Sequence, residues 1–145
     1  MNSSMKRVRA KKHLGQHFLK DLSIARSIVE ALSGEDYNDI IEVGPGMGVL
    51  TQFLMPRDFN THVVEIDPAS VFYLESSYPN LIPRIHKMDF LEVDLTSITN
   101  KPFGLIGNFP YNISSQILFK ALDYKDQIPE IVGMFQKEVA ERVAS

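Results

Sequence analysis

Five short apolar runs alternating with segments of helical periodicity constrain this chain more than any other feature. The runs are Asp39-Ile40-Ile41-Glu42-Val43, Thr61–Ile66, about Pro83–Met88, Phe103–Gly107 and Glu130–Phe135. Helical segments are expected over about 22–33, from Gly48 to about Met55, from Pro68 to near Tyr78, over Ser114–Leu122, and from near Gln136. Ile24, Ile28, Val29 and Leu32 share one face of the first, and Ile117, Leu118, Ala121 and Leu122 face inward on the fourth. Asp21 and Asp67 are placed to cap helices, with Pro68 at a first helical position. This alternation predicts an α/β fold: a parallel sheet covered on both faces and wound doubly by right-handed crossovers.

In such sheets ligands lie beyond the carboxyl ends of the strands. Gly44–Gly48, Glu65, Asp89 and Asn108 fall at or just past the ends of the first four strands. Four loops distant in sequence are thus expected to share one crevice.

Gly44-Pro45-Gly46-Met47-Gly48 lets a backbone approach a ligand closely. Its spacing is G-x-G-x-G. The dinucleotide fingerprint G-x-G-x-x-G would need a third glycine at position 49, where Val49 stands. The loop therefore suits a small cofactor without pyrophosphate better than NAD. Glu65 can accept hydrogen bonds from both hydroxyls of a ribose, or be an ordinary surface residue. Asp89, within Met88-Asp89-Phe90, can accept from an adenine amino group gripped by apolar neighbours, or cap a turn.

Asn108-Phe109-Pro110-Tyr111 suits alkylation of an exocyclic amine on a flat base. The adenine N6 lone pair is delocalised, so the amine needs two acceptors for its N–H groups. The Asn108 side-chain oxygen and the Phe109 carbonyl can supply them. Pro110 stiffens the turn, and Tyr111 offers a face for stacking. The same composition also serves as loop punctuation.

Charge is uneven. Residues 1–20 carry six cations (Lys6, Arg7, Arg9, Lys11, Lys12 and Lys20) and no acid, whereas residues 21–145 carry nine Lys/Arg against eighteen Asp/Glu. A basic arm on an acidic body fits a local polyanion contact, or a solvated tail. Gly15-Gln16-His17-Phe18-Leu19 fits a lid over a ligand or a staple under the first helix. Lys137/Glu141 and Glu138/Arg142 read as ion pairs on a solvated helix. The chain has no Cys and four scattered His, so no metal site is expected. No apolar run is long enough to span a membrane, and a cytoplasmic protein follows by default.

The chain resembles the ribosomal RNA adenine dimethyltransferases of the kasugamycin-resistance type. The resemblance is carried by Gly15-Gln16-His17-Phe18-Leu19, Glu42–Gly48, Val64-Glu65-Ile66-Asp67, Asp89-Phe90, Asn108–Ser114 and Gln136–Arg142, in family order across essentially the whole chain. It implies a Rossmann-like class I fold with strand order 3-2-1-4-5 and S-adenosyl-L-methionine as methyl donor, without a metal. It implies His17, Leu19, Gly44, Gly46, Glu65, Asp89 and Asn108 as donor contacts, with Asn108, Phe109, Pro110 and Tyr111 serving the target amine. The implied substrate is a pair of adjacent adenines near the 3′ end of small-subunit RNA, in a pre-30S particle, each receiving two methyls on N6. Lys6, Arg7, Arg9, Lys11 and Lys12 would touch that RNA.

Phe109 stands where the family usually has Leu, and His17 where many relatives have Asn. The family normally continues into two more strands and a helical domain. We therefore expect residues 1–20 to be an arm and lid, and 21–145 an incomplete donor-binding domain. The whole protein is expected to be a monomer, and this chain alone to self-associate and to act weakly on RNA. The rival readings are a large-subunit adenine methyltransferase of the macrolide-resistance type, leaned against by Pro45 and Gln136-Lys137-Glu138; a non-catalytic RNA-binding assembly factor, disfavoured by the intact Asn108–Tyr111; and an NAD enzyme, disfavoured by Val49.

Overall fold

The computed structural model describes residues 22–109 and 111–134, and of Tyr111 only the backbone. The elements are α1 (Leu22–Glu30), β1 (Asp39–Val43), α2 (Thr51–Leu54), β2 (Asn60–Val64), α3 (Pro68–Ser77), a 3-10 helix (Pro79–Arg84), β3 (Ile85–His86), a second 3-10 turn (Leu95–Ser97), β4 (Phe103–Asn108), α4 (Tyr111–Asp123) and β5 (Glu130–Met134). The strands form one sheet ordered β3-β2-β1-β4-β5, and every pairing is parallel.

β1 is the central strand and is buried at all five positions, as a strand covered on both faces must be. Its alternation sends Ile41 and Val43 to one layer, with Phe103, Leu105 and Phe109, against Ile117 and Ala121 of α4. Ile40 and Ile106 face the other layer, against Ala25, Val29 and Leu32 and against Leu50 and Leu54. A third cluster, Val63, Val71, Leu74, Leu81 and Ile85, lies under α3. At the opposite end of the sheet from the crevice, the Tyr37 hydroxyl and the Ser33 backbone N–H both donate to Glu130, tying the start of β5 to the loop before β1.

Several expectations are corrected. β3 is two residues long rather than Pro83–Met88, because Pro79–Arg84 winds into a 3-10 helix. Pro79 and Pro83 have no N–H to give to a ladder. The inward face of α1 is Ala25 and Val29, with Ile24 exposed. α4 begins three residues earlier than expected; Leu122 is exposed and Ser114 buried. α3 matches its signals: Asp67 accepts from the Ser70 N–H at 2.9 Å, with Pro68 at the first turn. The Asp21 cap, Phe135 and the helix from Gln136 lie outside the described residues.

Candidate active site

The register places the site. Val43 pairs with Val64 on one side and Gly107 on the other, so the Gly loop, Glu65 and Asn108 follow on neighbouring strands at one edge. β3 adds Asp89 at the same edge, three residues past its end.

Gly44, Gly46 and Gly48 have φ of 59°, 56° and 78°, conformations that other residues rarely adopt. A Cβ at Gly44 or Gly46 would meet nothing within 4 Å, so the backbone there opens to free space. The loop is pinned at its base: Gly44 N–H donates to the Val64 carbonyl and Gly48 N–H to the Pro45 carbonyl, each at 2.9 Å.

Glu65 follows β2 directly. Its own N–H donates to the His86 carbonyl at 3.0 Å. Its carboxylate Oε1 accepts from Gly46 N–H at 2.9 Å, and Oε2 from Ile66 and Asp67 N–H at 3.0 Å each. Glu65 is thus locked to the Gly loop rather than standing free at the surface. Ile66, 65% exposed, and Met88, 38% exposed, stand beside these carboxylates as apolar side chains turned to open space.

Asp89 does cap its own turn: Oδ1 accepts from Leu91 N–H at 2.9 Å. Of its apolar neighbours only Met88 is exposed; Phe90 is buried in the core. Lys120 steadies this turn from α4. Its Nζ donates to the Val93 carbonyl and lies 5.3 Å from the Phe90 ring centre. Burial lowers its pKa, against the nearby charges of Asp89 and Asp94.

Asn108 is the last residue of β4, half-buried, and not the first of a loop. Phe109 follows, wholly buried, its N–H donating to the Met134 carbonyl at 3.1 Å. Its ring occupies a niche that two glycines leave in the sheet. A Cβ at Gly107 would come within 2.9 Å of the ring, and one at Gly133 within 2.6 Å of it. Gly107 and Gly133 are partners across β4 and β5. The Phe109 carbonyl, expected to be an acceptor for the amine, accepts from Ser114 Oγ at 3.1 Å. Such an oxygen carries two lone pairs. Ser114 was not foreseen, because only the early start of α4 brings it under the turn.

Behind the loop, Glu42 of β1 is fully buried. Burial pushes its carboxyl up to about 8, with the neighbouring Glu65 adding and a hydrogen bond from Thr51 opposing. Among the described residues no group of three or more His, Cys, Asp or Glu is placed to hold a metal ion, and no helix is long and apolar enough to cross a membrane. His17, Leu19, Lys6, Arg7, Arg9, Lys11, Lys12 and Pro110, and the side chain of Tyr111, lie outside the described residues.

A five-stranded parallel sheet ordered 3-2-1-4-5, with a Gly-rich turn after its first strand and a carboxylate after its second, is the Rossmann-like fold of class I S-adenosylmethionine-dependent methyltransferases. Among solved structures the chain is similar to the 23S rRNA methyltransferase ErmE (28% identity, TM-score 0.69, covering 83% of this chain and 48% of that one). It is also similar to a dimethyladenosine transferase from Plasmodium falciparum (26% identity, TM-score 0.65, covering 85% and 44%). The family model for ribosomal RNA adenine dimethylases matches residues 7–145, and the chain belongs to that family. Curated relatives named ribosomal RNA small subunit methyltransferase A include those of Flavobacterium johnsoniae (57% identity, 96% of this chain and 54% of the relative) and Cytophaga hutchinsonii (54% identity, 97% and 55%). The chain spans about half the length of the curated relatives it matches.

Proposed function

We propose that the protein to which this chain belongs dimethylates N6 of two adjacent adenines near the 3′ end of small-subunit ribosomal RNA, in the pre-30S particle and in the cytoplasm. The observation that carries this reading is Asn108 at the end of β4, on the strand beside the opened Gly loop that Glu65 grips. The residues fit S-adenosylmethionine. Gly44 and Gly46 leave the space that a Cβ would fill. Glu65 is held for a ribose, Ile66 and Met88 for the two faces of an adenine, and Asp89 for its amino group. His17 and Leu19 would close over it. When bound, it supplies an electrophilic methyl group.

The chain's own work is positioning and hydrogen bonding. The Asn108 side-chain oxygen accepts one N–H of the target amine and the Phe109 carbonyl the other, so the lone pair turns out of conjugation. Ser114 holds that carbonyl in place. Pro110 stiffens the turn and Tyr111 stacks on the base, which must leave its helix to enter. Residues 1–20 form the arm and lid, with Lys6, Arg7, Arg9, Lys11 and Lys12 on RNA phosphates. The remainder is the donor-binding domain, and the whole protein is a monomer.

The test has two arms. Calorimetry with S-adenosylhomocysteine against NAD should show binding of the first alone. Methyl transfer by a chain completed to the length of its relatives should fall on small-subunit RNA. Transfer confined to large-subunit RNA would favour the macrolide-resistance type instead.

A further inference from the structure

Glu42 is a buried carboxyl that none of the roles above uses. It occupies the fourth position of β1 and is 1% exposed. By alternation it shares the face of Ile40, toward α1 and α2. Thr51 Oγ1, at the first residue of α2, donates to Glu42 Oε1 at 2.6 Å and is itself wholly buried. This bond joins the strand before the Gly44–Gly48 loop to the helix after it. Glu65 grips the same loop from the open side through Gly46. Glu65, at the end of β2, is the charged group that acts on Glu42, and Glu42 in turn acts on the phenol of Tyr78, just past the end of α3.

We propose that Glu42 is a positioning residue that serves the donor site as an uncharged carboxylic acid, clamping the Gly loop through Thr51, and that the site takes its ligand only while Glu42 keeps its proton. This rests on the loop being the S-adenosylmethionine site. Desolvation in a wholly buried position disfavours the charged form and holds the proton to about pH 8. Ionisation would place a second negative charge behind Glu65 in an apolar layer. Among the described residues no cation acts on Glu42, and a buried charge without such a partner draws in water or moves its surroundings. The nearest thing to move is the loop, whose two ends that charge bridges.

The experiment titrates S-adenosylhomocysteine into the 145-residue chain by calorimetry at pH 7 and pH 9. The amino group of the ligand titrates in every protein, so wild type is compared with Glu42→Gln. Wild type should lose about tenfold more affinity between the two pH values than Glu42→Gln, which is the ratio of protonated fractions for a group at about 8. Thr51→Val removes the clamp and should weaken binding already at pH 7; it also removes a bond that favours the ionised form, so its further loss at pH 9 should be smaller than that of wild type. Independently, wild-type stability to urea should fall as pH rises from about 4.5 to about 8 relative to Glu42→Gln, since the folded state there holds a proton the unfolded state has released. Equal affinity losses in wild type and Glu42→Gln overturn the proposal. A wild-type urea profile parallel to that of Glu42→Gln overturns the held proton. No binding by any variant or wild type at pH 7 overturns the S-adenosylmethionine reading, and the proposal with it.

Discussion

At the crevice, the bonds that hold Glu65 decide what its removal does. Glu65 accepts three backbone N–H groups. Glu65→Ala should weaken S-adenosylhomocysteine binding by about 1.5–3 kcal/mol, since a charged acceptor is lost, and should also lower Tm because Gly46 is released. Calorimetry and thermal melts check both; unchanged affinity would return Glu65 to a purely structural role. Asn108→Ala should slow single-turnover methyl transfer by about 10²–10³-fold while the fold stays intact, the scale for losing one positioned hydrogen-bond partner of a transition state. Slowing under about threefold would remove Asn108 from the chemistry. Gly133 tests the niche under Phe109. A Cβ there would sit 2.3 Å from the Gly107 carbonyl oxygen and 2.6 Å from the Phe109 ring. Gly133→Ala should cost about 1–3 kcal/mol by overpacking, read as a shifted urea midpoint. The positions of Gly44–Gly48, Glu65 and Asn108 at strand ends were legible in the sequence, because each closes or follows an apolar run. Ser114 and the neutrality of Glu42 were not, because they depend on where a helix starts and on what surrounds a side chain in space.

At the scale of elements, β2 and β3 are joined by side chains as well as by their ladder. His62 Nδ1 faces His86 Nε2 at 3.1 Å, and Asn60 links His62 to Asp39 of β1. Thr99 donates to the other Asp39 oxygen at 2.6 Å. One imidazole of the pair must donate and the other accept, which neutral rings satisfy. Burial lowers the pKa of both; for His62 the neighbouring His86 and Arg84 lower it further, against Asp39. The unfolded state therefore binds more protons near and below pH 6.5, and stability is lost as pH falls through that value. The effect should appear as a wild-type urea midpoint that drops between pH 7 and 5.5 relative to the double variant His62→Gln/His86→Gln; parallel curves would refute it. The same strands show where periodicity misleads. Pro83–Met88 reads as a strand, yet Pro79 and Pro83 belong to a 3-10 helix that leaves β3 two residues long. In α1, Ala25 and Val29 take the inward face and Ile24 stays exposed, a choice that apolar periodicity alone does not make.

For the molecule as a whole, a parallel sheet wound by right-handed crossovers followed from the alternation of elements, and the strand order from the family resemblance. β5 stands at one side of the described sheet, with β4 as its strand partner and Ile131 37% exposed. An apolar edge with no further strand among the described residues invites a second chain. The 145-residue chain should therefore self-associate in light scattering, and Ile131→Lys should shift it toward monomer; a monodisperse wild-type monomer would refute the edge argument. The sheet order also sets a timetable. β1 lies at the centre but is the first strand to be made, and its two partners, β2 and β4, both come later in the chain. During synthesis β1, β2 and β3 emerge carrying the Gly loop, Glu65 and Asp89, while one flank of β1 waits for β4. Asn108 is the last residue of that strand. On the proposed roles, the residues that would hold a nucleoside are made well before the residue that would act on an adenine.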